Sequence, residues 1–145
     1  MTKEIRKGDL NFLCIREATG TKFHNAEEVW ENMQAECMID RECMWTLHLN
    51  EQHEIIEKEL VAMGRGNATM TTPREVFRRA IIEGATAVIL VHNHPSGDPE
   101  PSAADIKLSQ LYVNAGNLIG IELLDFFVIA SKGYTSFAEK EIGGL

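Results

Sequence analysis

The stretch VHNHPSGDPEPSAAD, residues 91–105, combines side chains that bind metal ions. His92 and His94 are two positions apart at the end of an apolar run, so in a strand both imidazoles point the same way. Asp105 follows on the first turn of a helix that Ser102 opens. Two imidazoles and one carboxylate suit a catalytic zinc ion that keeps its fourth position for water. The spacing predicts a zinc site at a strand-to-helix turn.

A structural interpretation of the same residues stays open. Ser102 and Asp105 fit the S-x-x-D pattern of an ordinary helix N-cap, and a His-x-His pair can end a strand without a metal. Taken singly, the cap is the simpler explanation for Ser102 and Asp105. Their clustering with both histidines in one short segment favours the metal site.

Three cysteines, Cys14, Cys37 and Cys43, form no C-x-x-C pair. This odd number without that spacing argues against a disulfide framework and against a thiolate zinc site. We expect small core residues instead, and a metal held by imidazole and carboxylate.

Length and composition predict one compact domain, because the chain has 145 residues, 44% of them hydrophobic and 25% charged. The formal net charge of −8 disfavours nucleic-acid binding, and Arg74, Arg78 and Arg79 are interpreted as the solvated face of a helix. No apolar run approaches the roughly 20 residues of a membrane span. Without a recognisable secretory signal at the start of the sequence, a cytoplasmic location is expected.

Hydrophobic periodicity places the first elements. It predicts a helix over residues 24–37 with Asn25 as its cap, then a hairpin of strands 42–49 and 54–63 joined by a turn at 50–53. In the first strand, one face carries Cys43, Trp45, Leu47 and Leu49.

Capping signals place the second helix. Thr72 is a natural N-cap, Pro73 fits the first turn, Glu75 completes a capping box, and Gly84 ends the helix. Its apolar stripe is predicted to be Val76, Phe77, Ala80 and Ile81. A strand buried on both faces follows over residues 86–91.

The remaining elements complete a mixed sheet flanked by helices, an α/β fold. The third helix is expected to end within residues 114–117, with a stripe of Leu108, Leu111, Tyr112 and Ala115. Closing strands are expected over residues 119–129 and 134–137. The predicted division is an N-terminal arm over residues 1–23 and a domain over residues 24–145.

At these positions the sequence resembles a known family. His92-x-His94, seven residues, Ser102, two residues and Asp105 resemble the JAMM motif of MPN-domain metalloproteases and deubiquitinases. HNHPSGDPEPSAAD, together with TPREV at residues 72–76, is similar to the RadC-like branch over residues 42–137. The resemblance implies a JAB/MPN (cytidine-deaminase-like) fold, with His92, His94 and Asp105 as zinc ligands. It also implies that Ser102 stabilises the oxyanion of the reaction.

The family also uses a glutamate on an earlier strand as general acid and base. The matching position is Glu42, directly before the strand CMWTLHL, and Glu57 and Glu59 on the returning strand are rivals. Many RadC-like domains carry Asp-His near the last strands, where this chain has Asp125 and Phe126.

The resemblance implies a zinc-dependent metallopeptidase or isopeptidase that hydrolyses an amide bond of a peptide or protein conjugate. The alternatives are a non-catalytic MPN-fold binding module and a RadC-like protein associated with DNA repair or mobile elements. His48, on the face of Glu42, is interpreted as a surface histidine. Asn93, Ser96 and Asp98 are expected to shape the turn after the strand. The sequence leaves the oligomeric state open.

Overall fold

A six-stranded sheet forms the centre of the computed structural model, which describes residues 13–15, 21–64 and 71–145. The strand order is β1-β3-β2-β4-β5-β6, and β4 and β5 run parallel while the other neighbouring pairs are antiparallel. The strands are β1 (Leu13–Ile15), β2 (Glu42–Leu49), β3 (Ile55–Gly64), β4 (Ala87–Asn93), β5 (Glu122–Ala130) and β6 (Gly133–Ser136). The helices are α1 (Ala26–Cys37), α2 (Pro73–Glu83) and α3 (Ala103–Ile119). The predicted mixed α/β fold is confirmed.

Helices cover both faces of the sheet. On one face, the predicted inward residues of β2 pack with apolar residues of α1, and on the other, Val88 and Leu90 of β4 pack with α2 and α3. Strands buried on both faces must be apolar at nearly every position, which explains the near-continuous apolar run of β4. None of the helices in the described ranges combines the length and the apolar character that crossing a membrane requires.

Most of the predicted N-terminal arm lies outside the described residues. Residues 13–15 and 21–23 of it are described. The first form β1, which pairs with β3, and Lys22 forms an isolated bridge with Glu54. The division at residue 24 stays a prediction.

Local capping signals place the helix boundaries well at three ends. Asn25 caps α1 through Oδ1, which accepts a hydrogen bond from the Glu28 amide at 2.9 Å. The Glu75 carboxylate accepts from the Thr72 amide at 2.7 Å, and α2 ends at Gly84, which is left-handed with φ 68°. These predicted boundaries are confirmed, because each depends on residues within one turn of the helix end.

The predicted end of α3 is wrong. The helix continues through Gly116 to Ile119 and ends at Gly120, which has φ 78°, so β5 begins at Glu122 rather than at residue 119. Gly116 serves packing instead, because a Cβ there would lie 2.3 Å from the Ile121 carbonyl oxygen. The glycine permits close approach of the chain that leaves the helix.

Burial corrects three predictions about the helices. Ile81 and Leu111, expected in apolar stripes, are 63% and 46% exposed. Arg79, expected on a solvated face, is buried, and its Nε donates to Glu57 Oε2 at 2.9 Å. Arg79 therefore forms an ion pair between α2 and the sheet. Helical periodicity alone does not distinguish such a buried, paired arginine from an exposed one. Cys37 and Cys43 are buried as expected, whereas the Cys14 side chain lies outside what is described.

His48 is the fourth correction, because it is fully buried rather than a surface residue. Its β4 neighbour is Val88, whereas His92 is opposite Met44, so His48 lies toward the other end of β2 from the predicted metal site. Neither ring nitrogen has a hydrogen-bond partner among the described residues. Burial lowers the pKa of His48 to about 4.

We predict that His48 makes the fold acid-sensitive. Because its folded pKa of about 4 lies below the ordinary histidine value of 6.5, the unfolded chain takes up a proton first as the pH falls through this window. Relative to pH 7.5, that uptake costs about 2 kcal/mol of unfolding free energy at pH 5. His48→Leu removes this contribution, so urea denaturation at both pH values should show a smaller loss for the variant. Carboxylates titrate in both proteins, and equal losses would contradict the prediction.

Candidate metal centre

The predicted donors come together where β4 ends and α3 begins. His92 is the penultimate residue of β4, and His94 lies one residue past its end. The His94 amide donates to the Ile129 carbonyl at 2.8 Å, so pairing with β5 continues beyond the strand and keeps the chain extended. The two imidazole rings consequently lie near each other, with centroids 5.1 Å apart. Asp105 reaches them from the first turn of α3.

The three side chains converge on one point. Each of His92, His94 and Asp105 offers a ligand atom, and these atoms lie within 4.8 Å of one another. His94 Nε2 is 3.0 Å from Asp105 Oδ2, and His92 Nε2 is 3.7 Å from Asp105 Oδ1. The side chains of His92 and Asp105 are 1% exposed, while that of His94 is 15% exposed and is the most accessible of the three.

Main-chain carbonyl groups orient both imidazoles. The Nδ1 atom of His92 lies 3.0 Å from the carbonyl oxygen of Cys43, and that of His94 lies 3.0 Å from the carbonyl oxygen of Asp98. A carbonyl can only accept, so Nδ1 carries the proton in both rings. In its neutral form, each ring has its Nε2 lone pair facing the other donors, as in histidines that bind metals. In its protonated form, His94 instead donates from Nε2 to Asp105 Oδ2.

Asp105 serves the helix and the site at once. Its Oδ2 accepts from the Ser102 amide at 2.9 Å, and the Ser102 hydroxyl oxygen accepts from the Asp105 amide at 3.1 Å. This capping box leaves Oδ1 turned toward His92. The N-cap interpretation and the metal interpretation of this pair are therefore compatible.

The turn between the ligands depends on a glycine. Gly97 has φ 91°, and a Cβ there would meet the Ser131 hydroxyl at 2.8 Å. Its amide donates to the His94 carbonyl at 3.1 Å, which closes the turn that brings the Asp98 carbonyl under the His94 ring. Ser96 and Asp98 accept hydrogen bonds within the same turn, as predicted.

Electrostatics keeps the donors in mixed protonation states. Burial lowers the pKa of His92, which favours the neutral ring. The hydrogen bond to Asp105 raises the pKa of His94. Burial pushes the pKa of Asp105 upward, but the hydrogen bonds from His94 and Ser102 hold it below its usual range.

This donor set fits a zinc ion. Zinc is bound by neutral imidazole and by carboxylate, and two histidines with one acidic residue form catalytic sites with an open position. The facing atoms His94 Nε2 and Asp105 Oδ2 need a cation between them, which is either a proton or a metal ion. The tautomers and the ionised carboxylate match what zinc requires. The roles of these residues as ligands remain predictions.

Glu42 lies at the start of β2, beside the site. Met44 pairs with His92, so Glu42 occupies the next position on the same sheet face, toward His94. Its negative charge is a minor contribution that favours the protonated form of both rings, beside the larger effects of burial on His92 and of the Asp105 hydrogen bond on His94. The geometry agrees with the position that the family resemblance assigned to it.

The rival glutamates lie farther away. Glu59 and Glu57 are on β3, opposite Thr46 and His48, and β3 is separated from β4 by β2. At about 4.8 Å per strand, they are roughly 10 Å across the sheet from β4. Along the strands they are level with Leu90 and Val88, two and four residues before His92. Glu57 is also paired with Arg79. The sheet therefore favours Glu42.

At the Asp-His position of many RadC-like domains, Asp125 and Phe126 serve the core. Phe126 is buried against Phe137, with ring centroids 4.8 Å apart. The Asp125 carboxylate accepts from the Ser136 hydroxyl at 2.5 Å and from the Ala138 amide at 3.0 Å. These two residues thus anchor the turn after β6.

Comparison with known proteins agrees with this geometry. Residues 23–142 match the RadC-like JAB domain. This chain belongs to the RadC-like JAB domain family. The match includes all three donors, Ser102 and Glu42.

Curated relatives of the RadC-like chain are bacterial and archaeal proteins. A UPF0758 protein of Chlorobium phaeovibrioides is 45% identical over 128 residues, which are 88% of this chain and 57% of that protein. One from Pelodictyon phaeoclathratiforme is 45% identical over 119 residues, which are 81% of this chain and 54% of that protein. The chain thus spans about half the length of these relatives, whose name assigns no reaction.

We predict that capping and metal binding separate by mutation. Asp105→Asn keeps an oxygen for the Ser102 amide but loses the charge, so zinc affinity should fall by more than about tenfold while α3 stays capped. Ser102→Ala loses the cap bond, which costs about 1 kcal/mol of unfolding free energy, and leaves all three donors. Chelator competition and urea denaturation measure the two effects. Equal zinc affinities in the two variants would contradict this separation.

Proposed function

We propose that this RadC-like domain is a zinc-dependent hydrolase that cleaves an amide bond in a peptide or an isopeptide-linked protein conjugate. The observation that carries the proposal is the convergence of His92 Nε2, His94 Nε2 and the Asp105 carboxylate within 4.8 Å. Family membership supports it, because the same residues match the JAMM motif. The substrate class rests on that resemblance. The proposal that the chain has no nucleic-acid partner rests on the net charge of −8, and a cytoplasmic location is proposed from the sequence features described above.

His92, His94 and Asp105 would hold the ion, which when bound polarises a substrate carbonyl and makes water more acidic. The protein's part is orientation. The Cys43 and Asp98 carbonyl groups keep each Nε2 lone pair directed inward, and the Ser102 amide holds the carboxylate. These hydrogen bonds limit how far the three side chains have to move to bind the ion.

Glu42 would carry the proton transfers. Its carboxylate takes a proton from the attacking water as the oxygen adds to the carbonyl carbon, and gives a proton to the departing amine nitrogen when the C–N bond breaks. Water is thereby divided between a new carboxyl group and a free amine. A carboxylate beside the two histidines, outside the predicted ligand set, is suited to this role.

Ser102 would stabilise the carbonyl oxygen as it gains negative charge. Its hydroxyl oxygen already accepts from the Asp105 amide, so its own proton remains available for donation. The side chain is exposed at the N-terminus of α3, where the helix dipole also favours negative charge. Preorganised donors of this kind contribute strongly to acyl transfer.

Zinc binding in solution tests the metal part of the proposal. Wild-type protein stripped with chelator and reloaded should hold one zinc ion per chain, measured by mass spectrometry. His92→Ala combined with His94→Ala should lower the zinc affinity by more than roughly a hundredfold, since two of three ligands are lost. The matched control is His24→Ala. His24 is exposed beside Glu28 at the start of α1, so this variant should bind zinc like the wild type. Unchanged zinc content in the double variant would reject the site.

Cleavage of a fluorogenic peptide and isopeptide panel tests the catalytic part. Glu42→Gln keeps the shape of the side chain but cannot take a proton, so kcat should fall by about 10²- to 10⁴-fold with zinc retained. The control is Glu51→Gln, an exposed glutamate in the turn after β2. Equal cleavage by Glu42→Gln and wild type would refute the role of Glu42. A zinc-loaded wild type that cleaves nothing in the panel would favour the non-catalytic binding module.

A further inference from the structure

Asn93 stands between the two predicted histidine ligands, yet its side chain points to the opposite face of the sheet. It is 1% exposed and lies on the α1 side, as alternation along β4 requires. The expectation that it shapes the following turn is wrong. The side chain instead crosses to the segment that links α1 to β2, residues 37–43.

The side-chain amide of Asn93 forms three hydrogen bonds with the main chain of that segment. Oδ1 accepts from the Cys43 amide at 2.5 Å, and Nδ2 donates to the carbonyl oxygens of Arg41 at 2.8 Å and Cys37 at 3.0 Å. The carbonyl of Arg41 belongs to the peptide group before Glu42, and the amide of Cys43 belongs to the peptide group after it. One side chain therefore holds both peptide planes that flank the Glu42 Cα atom.

Holding both planes restricts the two backbone dihedrals of Glu42, and these set the direction in which its side chain leaves the chain. The next peptide group, between Cys43 and Met44, is held by His92, because the Cys43 carbonyl oxygen accepts from His92 Nδ1. Consecutive residues of β4 thus grip the amide and the carbonyl of Cys43. The hydrogen bond from His92 to Cys43 thus connects a predicted zinc ligand to the residue directly after Glu42.

We propose that Asn93 is a positioning residue that orients the Glu42 carboxylate toward the metal centre. The inference rests on the proposed catalytic role of Glu42. Aspartate at position 93 would keep the acceptor for the Cys43 amide but place a second oxygen against the Arg41 and Cys37 carbonyl groups. Alanine would leave one buried donor and two acceptors without their partner. Both changes free the segment that carries Glu42.

Crystal structures of wild type, Asn93→Ala and Asn93→Asp, each metal-free and zinc-loaded, read the position of Glu42 directly. We expect the Glu42 carboxylate to move by more than about 1 Å or to occupy several rotamers, with the His92, His94 and Asp105 side chains unmoved. A carboxylate in its wild-type position in both variants would overturn the proposal. Asn93→Asp is the second variant because it retains one bond if Asn93→Ala does not fold. The metal-free structures decide the matter even if the protein binds no zinc.

The matched control is Asn50→Ala at the other end of β2. Asn50 also makes three side-chain hydrogen bonds, accepting from the amides of Gln52 and Glu54 and donating to the Glu54 carboxylate. Its loss should lower stability to a similar extent without moving Glu42. A shift of Glu42 in this control equal to that in Asn93→Ala would reduce Asn93 to a general stabilising residue.

Kinetics on the reporter that the wild type cleaves adds a readout of coupling. A 1 Å misplacement of a catalytic group costs about a hundredfold, so Asn93→Ala should lower kcat by that order with KM and zinc content near wild type. Adding Asn93→Ala to Glu42→Gln should then change kcat by less than about twofold, since Glu42 no longer transfers protons. A full hundredfold loss in the Glu42→Gln background would overturn the proposal. Absence of cleavage by wild type refutes the proposed hydrolase, while the crystal structures still test the positioning.

Discussion

The hydrogen bonds from the Nδ1 atoms of His92 and His94 to main-chain carbonyl groups are the constraint on which the candidate metal centre depends. They select one tautomer for each ring and direct each Nε2 inward. A side-chain acceptor can rotate away, whereas the carbonyl groups of Cys43 and Asp98 are held by the sheet and by the turn at Gly97. The site is therefore prepared by backbone geometry, and its side chains need little reorganisation to bind a cation.

The topology explains why these groups meet. α3 connects the parallel pair β4 and β5, so the helix must begin at the end of β4 where the chain leaves the sheet. This places Asp105 over the two histidines. β2 runs antiparallel to β4, so the first residues of β2 lie beside the last residues of β4, and Glu42 lies next to the two histidines. One crossover and one antiparallel neighbour thus bring the predicted ligands and the proposed proton-transfer group together from distant parts of the sequence.

Sequence reasoning succeeded where the signal is local. The strand of β2, the caps of α1 and α2, and the spacing of the two histidines depend on residues a few positions apart. The site residues also carried a family resemblance that periodicity alone does not supply. The end of α3 was missed because Gly116 suggests a helix stop, whereas its role is a contact with Ile121 that depends on the tertiary fold.

Buried polar residues were the main source of error. In the strand alternation, His48 occupies a position typical of a surface residue, but it is buried because helices cover both faces of the sheet. In the helical repeat, Arg79 occupies a position typical of a surface residue, but it is buried in an ion pair with Glu57. Asn93 has no pattern that would reveal bonds to residues 37–43, about fifty positions away. The sequence also does not reveal which carbonyl groups orient the histidines, because every residue has a carbonyl group.

Anomalous diffraction at the zinc absorption edge, from crystals of the RadC-like chain soaked in zinc, tests the central claim most directly. The account predicts one strong peak bonded to Nε2 of His92, Nε2 of His94 and the carboxylate of Asp105, with both Nδ1 atoms still donating to their carbonyl groups. A map without a peak between these three side chains would contradict it, and so would a zinc ion bound through Nδ1.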